Sequence, residues 1–299
     1  MAYVKNILTI KDLENLSGIK AHTIRIWEKR YNVLEPKRTD TNIRYYDLAS
    51  LQKLLNITLL HNHGYKISKI SKYPEERIPE LVNEIISSKS VKVHAISDFK
   101  LAMMNFDQTL FVQTYNKLLS EKPFREIFHE IFVPLLNEIG LLWQTDTINI
   151  VHEHFISHQI KQKVLVNSEK AQLNSPQYTD RTYVLYLPMN EIHELGILFV
   201  NYEIINAGFQ TVYLGESVPL ECLSDMKKAF SNITYVTYCT VEPIAEEMNT
   251  YVKDLKENLL NDDSTKIVLL GKQAQLVSDK LLDSRVTVYE SINTFIRTL

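Results

Sequence analysis

Thr182-Tyr-Val-Leu-Tyr-Leu-Pro188 is an apolar run of strand length, and Met189-Asn-Glu191-Ile-His193-Glu-Leu-Gly196 follows it as a polar turn holding one histidine. Over residues 197–207 the apolar positions return with helical spacing. That succession is how the carboxyl end of a strand in an α/β sheet presents a ligand-binding loop. Working outward, strand-like runs recur at residues 210–214, 233–239, 266–270 and 286–289, with helical patterns between them. Five βα units over residues 181–299 predict a parallel, flavodoxin-like (Rossmann-type) sheet whose ligand sits at the strand carboxyl ends. Within the turn, Glu191 stands two residues before His193, so its carboxylate can accept one ring N–H and aim the other nitrogen at a metal. Gly196 allows a close approach by something bulky. The plain alternative is a surface histidine in a βα loop.

Glu191-x-His193-x-x-Gly196, followed by Thr211-Val-Tyr-Leu-Gly215 and Ser217-Val-Pro-Leu220, resembles the variant Glu-x-His-x-x-Gly signature of cobalamin-binding domains. The resemblance implies that His193 replaces the cofactor's own base as the lower ligand of cobalt, with Glu191, Gly196 and Gly271 among the cofactor-binding residues. Two segments depart from that family. Where relatives carry Ser-x-Leu or Ser-x-Thr and then Gly-Gly, opening a slot for the detached nucleotide tail, this chain has Thr237-Tyr238-Cys239-Thr240 and Gly271-Lys272. Tyr238 fills such a slot or Lys272 pairs with the tail's phosphate; both readings stay open.

With 299 residues, 45% of them hydrophobic, the chain can bury two or three ordinary cores. Two cysteines, Cys222 and Cys239, have no Cys-x-x-Cys spacing, which excludes a disulfide framework and a thiolate zinc site. No stretch offers the roughly 18 apolar residues of a membrane helix, nor does the start read as a signal peptide. A soluble, cytoplasmic protein is expected. The net charge of -3 conceals an asymmetry: residues 1–72 hold 13 Lys and Arg against 6 Asp and Glu, a net of +7, which leaves -10 for the rest. Nucleic acid is thus expected at one end only.

That basic end reads as two short helices. Thr9-Ile-Lys-Asp12 forms a capping box, and Ser17-Gly18 stops the first helix. Residues 20–31 then place Ile24 and Trp27 on one face, leaving Lys20, His22, Thr23, Arg25, Lys29 and Arg30 for the others. Such a helix-turn-helix suits the major groove of double-stranded DNA. A basic loop over residues 36–46 follows as a candidate wing, and Asp47 caps a third helix ended by Gly64. This order resembles the DNA-binding domain of MerR-type transcription regulators. Lys20, His22, Thr23, Arg25, Arg38, Arg44 and Tyr45 are the expected DNA contacts, and Trp27 and Tyr31 the core. One such module covers a half-site, so a homo-oligomer, a dimer or tetramer, is expected on the operator.

Domain boundaries are expected as a winged helix-turn-helix at 1–73, a flexible helical linker at 74–90, a four-helix bundle at 91–170 and a connector at 171–180. Breaks at residues 105–107, 122–123 and 145–147 separate the bundle's helices. Trp143 precedes Glu153-His154 by nine intervening residues, a spacing similar to that of CarH and LitR type photoreceptors, in which the bundle covers the upper face of cobalamin. That resemblance implies adenosylcobalamin as cofactor, with Trp143 as an apolar lid and Glu153 and His154 as hydrogen-bonding partners. In some of those relatives a histidine follows the tryptophan; here Gln144 does. Taken by themselves, Trp143 is a core residue and Glu153 part of a solvated helix face. His154 and His158 have helical metal-ligand spacing, but no third ligand is evident and the pattern is not His-Glu-x-x-His.

The expectation is therefore a non-enzymatic, light- and adenosylcobalamin-controlled transcription regulator, a repressor. One alternative is a MerR-type regulator whose cobalamin-like domain has lost its cofactor and serves dimerisation or a protein partner. The other is a cobalamin-carrying enzyme subunit, disfavoured by the basic helix-turn-helix and by the lack of a substrate barrel.

Overall fold

The computed structural model describes residues 7–39, 41–84, 88–145 and 147–299. Ser87 of the expected linker, Asp146 of the expected break and the side chain of Gln144 lie outside them. The chain divides into two compact units, Met1–Ile160 and Lys161–Leu299.

The first unit begins with α1 (Ile10–Ser17). Thr9 and Asp12 form its capping box reciprocally, and Gly18 ends it in the left-handed conformation. Helix α2 (Ala21–Tyr31) follows, then an antiparallel hairpin of β1 (Lys37–Arg38) and β2 (Arg44–Tyr45), then α3 (Leu48–Asn62) capped by Asp47. Lys37 is the main cause holding the Asp47 carboxyl at about 2, with Ser50 adding to it. Leu13, Leu16, Ile24, Trp27, Leu51 and Leu54 are buried together as the module's core, and Tyr31 is half-buried beneath Arg30.

Two short helices, α4 (Ile67–Ile70) and α5 (Arg77–Glu84), lead to the bundle. Its helices are α6 (Ser88–Asn105), α7 (Gln108–Glu121), α8 (Phe124–Ile127) continuing through a π-turn (Phe128–Phe132) into α9 (Val133–Gln144), and α10 (Ile150–Gln172). Phe99, Phe111 and Phe132 meet at its centre, with ring centroids 4.8 and 5.5 Å from Phe99. Helix α6 already runs from Ser88, inside the segment expected as a linker. Serine and lysine carry small helix penalties, and no Gly or Pro stands there to stop the helix.

In the second unit, β3 (Tyr178–Tyr186), β4 (Phe209–Gly215), β5 (Ile233–Tyr238), β6 (Lys266–Leu270) and β7 (Val286–Val288) form one parallel sheet in the order β4-β3-β5-β6-β7. This is the flavodoxin-like order. Strand β3 alternates: Val184 and Tyr186 join the cluster on one face, Tyr183, Leu185 and Leu187 the cluster on the other. Helices α11 (Leu195–Asn206), α12 (Leu220–Leu223), α13 (Met248–Leu259) and α14 (Ile292–Ile296) accompany it. Strand β3 starts at Tyr178 rather than 182, because Tyr178 finds a partner in Phe209 before a register shift. Between β6 and β7 the expected helix is replaced by two 3₁₀ turns, Gln273–Leu276 and Asp279–Leu281. Ala274 and Val277 anchor that path in the core. Among the described residues no helix is long and apolar enough to cross a membrane.

Candidate functional site

The carboxyl ends of β3 and β5 lie side by side, and Glu191 joins the loops that follow them. Its side chain is wholly buried. Oε1 accepts the His193 backbone N–H at 2.9 Å and meets the ring Nδ1 at 2.6 Å. Oε2 accepts the backbone N–H groups of Thr240, Val241 and Glu242 at 3.0, 2.7 and 3.0 Å. Burial pushes the Glu191 pKa up, but the N–H groups of Val241, Glu242 and His193 and the His193 ring outweigh it and hold it at about 2, against the usual 4.5. An ionised carboxylate has only lone pairs to offer, so Nδ1 carries the proton and Nε2 is left for an outside partner. The imidazole is 54% exposed, so that nitrogen is reachable.

The neighbourhood is unusually apolar for an exposed loop. Met189 and Ile192 flank His193, and Val241 and Ile244 stand on the loop after β5; all four are exposed. Glu194, next in the chain, pairs with Lys161 and accepts the Tyr213 hydroxyl at 3.1 Å. Burial first, and Glu194 second, drive the Tyr213 phenol far up. Thus the base of α11 is fixed on both sides of His193. Asn190 adopts the left-handed region, φ 65°, and its N–H is held by Ser217 Oγ at 3.1 Å.

Gly196 and Gly271 have other reasons to be glycine. A Cβ on Gly196 would lie 2.8 Å from Cζ of Tyr238, whose ring covers it. At Gly271, φ is +96° and a Cβ would meet the Cys239 carbonyl oxygen at 2.3 Å. The chain's own atoms therefore account for both missing side chains. For a corrinoid, the donor set fits: an oriented imidazole nitrogen amid apolar side chains matches a metal in a broad apolar macrocycle.

In the first unit, Trp143 is 51% exposed, with Leu141, Ile150 and Val151 exposed near it in sequence. A core tryptophan is excluded. Glu153 and His154 pair with each other at 2.7 Å, and Ser157 donates to Glu153 at 2.6 Å. His154 is exposed on the outer surface of α10.

On α2, His22 and Arg25 are exposed and Thr23 half-buried, while exposed Lys20 pairs with Glu14 at 3.3 Å. Arg38 braces the hairpin tip through Asn42 Oδ1 at 2.7 Å. Tyr45 is half-buried, and Arg44 lies with Nε 3.6 Å from Glu28 Oε2. Glu28, unnoticed in the sequence, is buried and also accepts the hydroxyl of buried Tyr46. It ties the hairpin to α2. A second unforeseen junction joins α1 to the bundle: Asn15 donates to the hydroxyls of Thr147 at 2.7 Å and Thr145 at 3.3 Å, and buried Lys100 bonds the Leu16 carbonyl at 3.3 Å and pairs with Glu138. Polar residues carry both junctions, so hydrophobic periodicity gave no sign of them.

Two family models match parts of the chain, one in the helix-turn-helix and one in the helical bundle. Residues 8–76 match the MerR HTH family of regulatory proteins, and residues 95–166 the B12 binding domain. The chain is 28% identical over 217 residues to the HTH-type transcriptional repressor CarH of Myxococcus xanthus, with 70% of each chain covered. To the repressor CarA of the same organism it is 21% identical over 218 residues, covering 72% of this chain and 70% of CarA. Among solved structures, the monomethylamine corrinoid protein of Methanosarcina barkeri is similar in fold, with a TM-score of 0.52 and 16% identity over 71% of this chain and 98% of that one.

Proposed function

We propose that the chain is a DNA-binding transcription regulator, a repressor, whose assembly on its operator is controlled by adenosylcobalamin and light. One observation carries the reading: a buried, ionised Glu191 fixes the His193 ring and leaves Nε2 reachable amid exposed apolar side chains. His193 would hold cobalt from below. Trp143 would cover the upper face with an apolar ring, while Glu153 and His154 offer hydrogen bonds to an adenosyl group. When bound, adenosylcobalamin supplies a cobalt–carbon bond that light can break. Loss of that group would leave Trp143, Glu153 and His154 without a partner, and the bundle's preference for one packing would change with it. To move the protein from 1:99 to 99:1 between assembly states, the two cofactor states must differ by about 5.5 kcal/mol in that preference.

The similarity to two named transcriptional repressors supports the regulatory reading over an enzymatic one. DNA would be engaged by Lys20 just before α2, by His22, Thr23 and Arg25 on α2, and by Arg38, Arg44 and Tyr45 on the hairpin, in a homo-oligomer that spans two half-sites. A cytoplasmic location follows from that role. The Tyr238 ring over Gly196 favours a second reading, in which the α/β unit has lost the cofactor and serves dimerisation.

The experiment is reconstitution of the full chain with adenosylcobalamin in darkness, followed by desalting and a gel shift on the DNA upstream of its own gene, before and after illumination. Wild type should retain colour, His193→Ala should lose it, and illumination should change the shift. A colourless wild type removes the cofactor from the reading, and an absent shift removes the DNA.

A further inference from the structure

The space above Gly196 is occupied by the phenol end of Tyr238. A Cβ at that glycine would be 2.8 Å from Cζ and 3.0 Å from both Cε atoms, so the ring end lies flat over the first turn of α11, three residues beyond His193. Tyr238 comes from the last position of β5, where it is paired with Leu270. Of the tyrosines on the same face of the sheet, Tyr213 is tied to Glu194 and Tyr289 to Thr298, while Tyr183, like Tyr238, is held by packing. The Tyr238 hydroxyl makes no hydrogen bond among the described residues. Packing alone keeps its ring in place, so rotation about its side-chain bonds breaks no polar contact.

This matters if His193 ligates cobalt, as proposed above, and the inference rests on that reading. Cobalt in a corrin ring has one lower position. An imidazole from the protein there displaces the nucleotide base that a complete cobalamin carries on a tethered arm, and the arm must then descend beside the loop that bears His193. On one flank of that loop stands the first turn of α11. Its only side-chain-free position, Gly196, is covered by Tyr238.

We infer that Tyr238 determines corrinoid specificity by acting as a gate over Gly196. With the ring as observed, the site takes a corrinoid without a nucleotide arm; a complete cobalamin enters only after the ring turns aside. Binding of complete cobalamin is therefore weakened by the fraction of molecules in which the gate is shut.

The test is titration of the full chain in darkness with adenosylcobalamin and with adenosylcobinamide, which lacks the nucleotide arm, followed by corrinoid absorbance. Tyr238→Ala should strengthen adenosylcobalamin binding at least tenfold and leave adenosylcobinamide within about threefold. Tyr238→Phe, which keeps the ring, should match wild type for both. If alanine destabilises the chain, Tyr238→Leu repeats the comparison with more of the apolar volume kept. An equal change for the two corrinoids, or a loss of adenosylcobalamin affinity in the alanine or leucine variant, overturns the gate while leaving His193 ligation intact. Binding of neither corrinoid by any variant overturns the ligation reading and the gate together.

Discussion

Replacing Glu191 by glutamine isolates the charge that organises the site. The side chain is wholly buried and its carboxylate accepts five N–H groups, which take its pKa from the usual 4.5 to about 2. That depression corresponds to roughly 3 kcal/mol of folding free energy at neutral pH. The sign follows from the direction of the shift. A depressed carboxyl contributes fully above its unfolded pKa, and the contribution fades as pH falls from about 4.5 toward 2. Glutamine keeps the shape and one carbonyl oxygen, but its amide nitrogen faces N–H groups in place of the second oxygen. The loss at pH 7 should be about 2–4 kcal/mol. Since the chain has two units and need not unfold in one step, the local readout is amide hydrogen exchange at Thr240, Val241 and Glu242, alongside urea unfolding. Glu191→Gln should speed exchange at those three amides at pH 7, and the difference in stability from wild type should close as pH falls to about 2. A gap below about 1 kcal/mol, or one unchanged across the acid range, would refute the ionised clamp.

Gly271→Ala should cost about 2–5 kcal/mol in thermal or urea unfolding, since left-handed backbone strain adds to a Cβ 2.3 Å from the Cys239 oxygen; a loss within 1 kcal/mol would mean the loop relaxes freely. Asn15→Ala should lower the stability of the first unit by about 1 kcal/mol through the lost bonds to Thr147 and Thr145, with Trp27 and Trp143 fluorescence reporting that unit. Tyr46→Phe should cost about 1–3 kcal/mol because buried Glu28 loses its hydroxyl donor, and circular dichroism during urea unfolding measures it. Arg44→Ala should weaken DNA binding across all sequences and lower the salt slope by about 1; an unchanged slope would remove Arg44 from the phosphate contacts.

Much of the site was legible because its signals are local. Glu191 and His193 are two residues apart, and a turn suffices to bring carboxylate to ring. The second half of the clamp was not legible, since it consists of backbone amides 49 to 51 residues away, and amide groups carry no sequence label. At Gly196 the sequence suggests a place of close approach, and the group that lies over it, Tyr238, comes from another strand. Arg44 is an expected DNA contact in the sequence, and its spacing from Glu28 gives no hint of their 3.6 Å approach.

By itself the sequence determined the parallel sheet, its switch-point loop and the capped helix-turn-helix, because apolar periodicity, capping side chains and left-handed glycines act over a few residues. Tertiary structure alone decided which side chain lies over Gly196, what clamps Glu191, and how α1 is fastened to the bundle. Those contacts join segments far apart in the chain. Their partners are chosen by the register of parallel strands and the packing of helices, which no local pattern encodes.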